Sequence, residues 1–297
     1  MNRYTDESTE LDSLINSVRN AIPREADENA YYLVIAAVIV ASNNPAEIGS
    51  FYRHLADHVF DGDAEKAAKA SSEIRDVLMK SWTLIGIPPV ITAIPALIKE
   101  DDKSFIGESV LSEKWYVLSY SPRLSAHSEV LRVGCVIETT IRVNPASIEH
   151  GGPISERGMA MMLRLYGTTL LPKIFDTWGS FRSDVVFLEA SIIYGLHLAD
   201  HSVLTEIQSE CIIVALMLCT GFGAPSLWHL RGLCRLLGAR GNTVAENKEV
   251  VDRVQRFEDA IKACVSYYKM EDKAKLAKWP AVADVEKELG GFGNDEF

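Results

Sequence analysis

The pentapeptide His-Leu-Ala-Asp-His occurs twice in this chain, as His54–His58 and His197–His201, each time with an aromatic residue three positions upstream, Phe51 or Tyr194. A self-similar chain is expected to fold as copies of one supersecondary unit. The similarity continues downstream: a glutamate, Glu73 or Glu210, is followed by Gly86-Ile87-Pro88 or Gly223-Ala224-Pro225, and both features are offset by 137 positions. The pentapeptides are offset by 143, so the first copy carries six extra residues, expected at Asp61-Gly62-Asp63. Each unit reads as helix, break, helix. An apolar helix starting near the glutamate runs about three turns to a glycine that tolerates left-handed backbone, and proline, with its fixed φ, starts the next helix. Two such units are expected to pack about a pseudo-twofold axis in one all-α, bilobed body. The copies differ at one position of chemical interest, because His229 in the second corresponds to Thr92 in the first.

Helical spacing governs most of the remaining chain. Leu11, Leu14, Ile15, Val18 and Ile22 form a stripe preceded by a Thr9/Asp12 capping region and closed by Pro23. Residues 27–42 are apolar nearly all round and predict a central buried helix; the run Tyr31 to Ala41 is far short of the ~20 residues that span a bilayer. Further helices are expected at about 46–59, 64–85, 88–99, 155–170, 182–199, 204–221, 225–237 and 244–268. Residues 115–143 are rich in β-branched and aromatic side chains, and both a small hairpin and an irregular helix fit them. The strongest break, Asn144-Pro145 to Gly151-Gly152-Pro153, divides a degenerate N-terminal repeat over 1–150, carrying an insertion at 101–143, from a C-terminal repeat over 151–297.

Lys and Arg number 30 against 41 Asp and Glu, and the formal charge of -11 repels phosphate backbones and anionic lipid, so neither nucleic acid nor membrane is an expected partner. The N-terminus lacks an apolar signal core, and five cysteines without paired spacing (Cys135, Cys211, Cys219, Cys234, Cys264) fit reduced thiols. A cytoplasmic location is the expectation.

Tyr194-Gly195-x-x-Leu198-Ala199-Asp200, then Glu210 opening the apolar run Cys211–Leu216, then Trp228-His229-Leu230-Arg231-Gly232 and Gly238-Ala239 carry a resemblance. This pattern resembles the alkyl hydroperoxidase D-like, carboxymuconolactone decarboxylase-like group over residues 155–265, and through the repeat over 46–100. The resemblance implies an all-α bundle around a two-helix hairpin, homo-oligomeric association, Glu210 at the family's acid position and His229 at its histidine. The family's paired thiols would fall near Phe222 and Pro225, where there is no sulfur. Cys219 lies about a turn too early and alone cannot both attack a peroxide and resolve the sulfenate.

His229 and Glu210 therefore read either as a general acid/base pair or as a core histidine bonded to a buried carboxylate. On the first reading the protein is a non-redox lyase or isomerase acting on a small or medium organic acid, with no cofactor. Tyr194, His201, Trp228 and Cys219 are its candidate substrate-binding residues, although Trp228, adjacent to His229, points to a different side of the helix. Two alternatives stand beside it: a hydroperoxidase using Cys219 with an external thiol, and a non-catalytic scaffold similar to the sestrin-like proteins. The i, i+4 histidines of the pentapeptides could chelate zinc, but without a suitable third ligand they read as helix-end hydrogen-bonding groups, and no metal is expected. Cys211 and Cys219 read as buried apolar groups, and Trp178, Phe181, Phe187 and Tyr194 as core aromatics. Neither Gly221-Phe222-Gly223 nor the tail sequence Gly290-Gly291-Phe292-Gly293 suits a nucleotide.

Overall fold

A computed structural model describes residues 3–101 and 153–295, so the alternatives for 115–143, most of the 101–143 insertion and Cys135 lie outside the described residues. Among the described residues the protein is all-helical, with eleven α-helices and no strand. In chain order these are α1 (Arg3–Ala21), α2 (Ala30–Ala41), α3 (Glu47–His54), α4 (Ala64–Ile85), α5 (Ile87–Glu100), α6 (Pro153–Asp176), α7 (Arg182–Phe187), α8 (Glu206–Thr220), α9 (Gly223–Leu236), α10 (Lys248–Tyr267) and α11 (Asp284–Leu289). Two of them run on into wider π-helical turns, α3 through Leu55–Val59 and α7 through Leu188–Leu198. No helix among the described residues is long and apolar enough to cross a membrane.

Apolar character all round forces a helix to the centre. All twelve residues of α2 are buried, and α2 packs against α8, α4 and α1. In α8 every residue from Gln208 to Cys219 is buried because two cores flank it. The larger core combines α1 to α5 with α8 to α11, contributed through residues such as Ile35, Val77, Leu216 and Phe257; the smaller joins Tyr166 and its α6 neighbours to Tyr194, Ile213 and Met217. Helix α1 begins at Arg3, so Thr9 and Asp12 lie inside it and do not cap it. Asp12 instead pairs with His54 Nε2 at 2.8 Å.

The repeated motifs occupy helix ends in both halves, with instructive differences. The six extra residues are not in the Asp61-Gly62-Asp63 turn. The link before α4 (60–63) is shorter than that before α8 (199–205), and the first copy has its additional length in helix, on either side of that turn. Glu73 consequently sits in the middle of α4, whereas Glu210 lies near the start of α8. Gly86 breaks α4 from α5 at φ 83°, but in the second half the left-handed residue is Gly221 at φ 72°, and Gly223 already belongs to α9. The pentapeptides are also fastened differently. His54 is tied through its ring to Asp12, and the His58 ring lies 5.0 Å from it at a tilt of 50°. The second copy is held by its backbone: Lys80, buried in α4, donates to the carbonyls of His197 (3.0 Å) and Asp200 (2.8 Å) and pairs with Asp76 at 3.2 Å.

Helix α6 meets the π-helical segment closely enough to require glycine. A β-carbon on Gly158 would come 2.0 Å from the Ala190 carbonyl oxygen, and one on Gly195 would come 2.6 Å from the carbonyl oxygens of both Ala190 and Ile154. The Gly-rich tail is a docked segment. Phe292 is fully buried, and 291–293 are joined to the Gly241 turn by Phe292 N–H donating to Gly241 O (2.7 Å) and Gly241 N–H to Gly293 O (2.9 Å). Since backbone atoms cannot withdraw as a flexible side chain can, Gly195→Ala is expected to destabilise the fold by about 1–3 kcal/mol through overpacking. A lowered urea unfolding midpoint with an unchanged slope checks this, and an unaltered midpoint contradicts the close approach.

Candidate functional site

The start of α8 is set by a capping box: Gln208 N–H donates to Thr205 Oγ1 (3.2 Å), and Thr205 N–H donates to Gln208 Oε1 (2.8 Å). That register puts Glu210 about one turn inside the helix, with no solvent exposure. Left-handed Gly221 then turns the chain so that α9 returns along α8, and His229 Nδ1 meets Glu210 Oε1 at 2.9 Å. Gly232, a turn after His229, makes room for the carboxylate; a β-carbon there would stand 3.1 Å from Glu210 Oε1.

On its other side His229 Nε2 lies 3.1 Å from the Tyr166 hydroxyl, which is hydrogen-bonded in turn to the Tyr194 hydroxyl. Tyr166 comes from α6, just before a kink where Gly167 adopts φ 70°. Arg231 of α9 holds the kink by donating to the Tyr166 carbonyl oxygen (2.8 Å) while also binding the tail carbonyls of Gly291 (2.7 Å) and Phe292 (2.8 Å). Asp295 completes this clamp, accepting from Thr168 N–H (3.0 Å) and pairing with Arg235 (3.1 Å).

The four groups form a buried chain, Glu210–His229–Tyr166–Tyr194. Burial pushes the Glu210 carboxyl up, opposed by the charge and hydrogen bond of His229, and raises both phenols well above their ordinary value. The tyrosines therefore stay neutral. With Tyr194 donating to Tyr166, Tyr166 donating to Nε2 and Nδ1–H donating to Glu210, every bond in the chain is satisfied. Among the described residues Glu210 Oε2 has no hydrogen-bond partner, an uncommon condition for a buried carboxylate oxygen. Glu189, half-buried in the π-helical segment, is pushed up by desolvation and interacts electrostatically with His229, Tyr166 and Tyr194.

Of the residues singled out from sequence, His229, Glu210 and Tyr194 are brought together. Trp228 is half-buried against the smaller core. His201 stands elsewhere, in a groove with Arg157, Arg164 and Glu206. Cys219 is fully buried in the larger core, where its ionisable neighbours are Lys273 and Cys264, and burial pushes its thiol up to about 12. Phe181 and Phe187 are not core aromatics: they are 69% and 37% exposed. Among the described residues no group of three or more His, Cys, Asp or Glu is placed to hold a metal ion. Sequence reasoning missed Tyr166, Glu189 and Arg157. Tyr166-Gly167 repeats the dipeptide Tyr194-Gly195 and was a usable signal; Glu189 had none.

Compared with known proteins, the chain matches no family model, no curated protein and no solved structure.

Two titration outcomes follow from these environments. Cys219 is expected to resist iodoacetamide and mild peroxide in the folded protein at neutral pH and to react after denaturation, as mass spectrometry would show; stoichiometric modification of the native protein contradicts its placement. Partial desolvation, together with the cations of Lys80, Arg157 and Arg164, lowers His201 from 6.5 to about 4. A depressed folded-state value leaves the unfolded chain with more bound protons between those limits, so this contribution is complete above pH 6.5 and is lost as pH falls towards 4. An NMR titration midpoint near 4 is expected for the His201 ring, and a midpoint near 6.5 would contradict the described environment.

Proposed function

We propose that this protein is a non-redox acid–base enzyme, a lyase or isomerase of a small or medium organic acid, built as a two-repeat, pseudo-twofold variant of the alkyl hydroperoxidase D-like bundle. One observation carries the reading: the His229 imidazole is held at Nδ1 by Glu210 and at Nε2 by a hydroxyl pair, Tyr166 and Tyr194. Glu210 orients the ring through Nδ1, which leaves Nε2 as the group that gives or takes a proton. Tyr166 and Tyr194 extend that reach, and Glu189 supplies a second carboxyl of raised basicity beside the same ring. The duplicated sequence supports the two-repeat description, and Thr92, exposed and bonded to the Pro88 carbonyl at 2.9 Å, leaves the first half without an equivalent base. The buried, unpaired Cys211, Cys219, Cys234 and Cys264 fit a reducing compartment such as the cytosol. Full burial and a thiol held protonated weigh against peroxide reduction by Cys219.

A second reading, a non-catalytic interaction scaffold, has its own support. His229 and Glu210 line neither the groove that holds Leu163 and Phe187 nor the one that holds Arg157 and His201, while Leu163, Phe187, Phe181 and Leu188 are exposed. That surface is also the candidate for self-association into a homo-oligomer.

Incubation with 2-oxo and conjugated carboxylic acids in deuterium oxide, followed by proton NMR, separates the two. The acid–base reading predicts deuterium uptake next to the carboxylate or carbonyl, reduced about 10²–10⁴-fold in His229→Gln with folding intact. Exchange that is unchanged in the variant removes His229 from the chemistry. Absence of exchange across the whole panel favours the scaffold.

A further inference from the structure

A groove of about 510 Å³ runs between α6 and the connection from the π-helical segment into α8; Arg157 and Arg164 stand on one side and Asp200, His201 and Glu206 on the other. Seven positions of spacing put the two arginines two turns apart on one face of α6. Arg164 is paired with Glu206 at 2.7 Å. Arg157 is held differently. Its Nε donates to the Gly195 carbonyl oxygen at 2.9 Å, Nη2 bonds to the same oxygen, and it makes no ion pair among the described residues. One edge of this guanidinium is thus pinned to a neutral acceptor, while its charge, which it cannot lose, has no ion-pair partner among the described residues. In a chain of net charge -11 such a cation is conspicuous.

The opposite wall reports the same field. At the His201 ring, Lys80, Arg157 and Arg164 together act against the single opposing charge of Asp200. Desolvation first, and these cations second, keep the imidazole neutral at physiological pH, where it offers one donor and one acceptor without adding charge.

We infer that this groove is a binding site for a small organic carboxylate, with the carboxylate on the free edge of Arg157 and a second oxygen of the ligand hydrogen-bonded to His201. A planar guanidinium fork matches a carboxylate. One such cation beside a neutral imidazole suits a monoanion better than a phosphate dianion. The assignment goes beyond the acid–base reading and does not rest on it, because His229 and Glu210 do not line this groove. Binding here does not require His229.

The test is an NMR titration of the full chain, reading the His201 imidazole signals while sodium acetate replaces sodium chloride at constant ionic strength. Acetamide and inorganic phosphate serve as comparison probes. Acetate is expected to give a saturable shift and acetamide none. Arg157→Gln, which keeps a donor for the Gly195 carbonyl but loses the charge, should weaken acetate binding about tenfold or more. His229→Gln should bind acetate as the parent does. Equal shifts with acetamide, no shift with acetate, tighter binding of phosphate, or retention of acetate affinity in Arg157→Gln would each overturn the assignment. If that variant does not fold, the comparison of acetate with acetamide on the unaltered protein decides by itself. Acetate binding without His229-dependent exchange would sink the catalytic reading and leave this site standing; the converse result would leave the catalysis and displace the site.

Discussion

Glu210 sets the terms for the rest of the molecule. It lies on a helix buried from Gln208 to Cys219 and between two hydrophobic cores, where an ionised carboxylate without partners would cost several kcal/mol. Its compensation comes from α9, through His229, and that ring needs a partner of its own at Nε2. Tyr166 supplies it, and Tyr194 supplies a partner for Tyr166. A single buried acid thus fixes the relative positions of α8, α9, α6 and the π-helical extension of α7.

Much of the surrounding structure holds those four elements in register. Gly158 and Gly195 let α6 and the π-helical segment approach until only glycine fits. Gly167 bends α6 directly after Tyr166, and Arg231 and Arg235 tie the bend to the buried tail through main-chain carbonyls. The tail accepts most of its hydrogen bonds through backbone, so its sequence gives little sign of this role. In the first half the corresponding glutamate is satisfied more simply: Tyr32 donates to Glu73 directly, and Lys69 approaches to 3.7 Å. No imidazole intervenes between that carboxyl and its tyrosine.

Helix positions were legible because apolar spacing and prolines report burial and helix starts. Residues 64–85 coincide with α4, and the wholly apolar stretch at 31–41 is the buried α2. Glu210 and His229 were singled out together through the family resemblance, and the structure brings the two side chains to 2.9 Å. What could not be read depends on long-range packing or on unusual backbone. Periodicity at 3.6 residues places side chains wrongly in the π-helical Leu188–Leu198, so Glu189 was missed, and the core assignment of Phe187, just before it, failed. The kink at Gly167 interrupts α6, which extends to Asp176, beyond the expected limit near 170. Identical pentapeptides proved a poor guide to local contacts, because one is anchored by a side chain and the other by its carbonyls.

The account stands on His229 being fastened at both nitrogens, and long-range proton–nitrogen correlation of its ring tests that most directly. A single hydrogen-bonded arrangement is predicted, Nδ1–H directed at Glu210 and Nε2 accepting from Tyr166, with the Nε2 signal moving in Tyr166→Phe and the Nδ1 signal in Glu210→Gln. A ring that averages between tautomers and ignores both substitutions would contradict it.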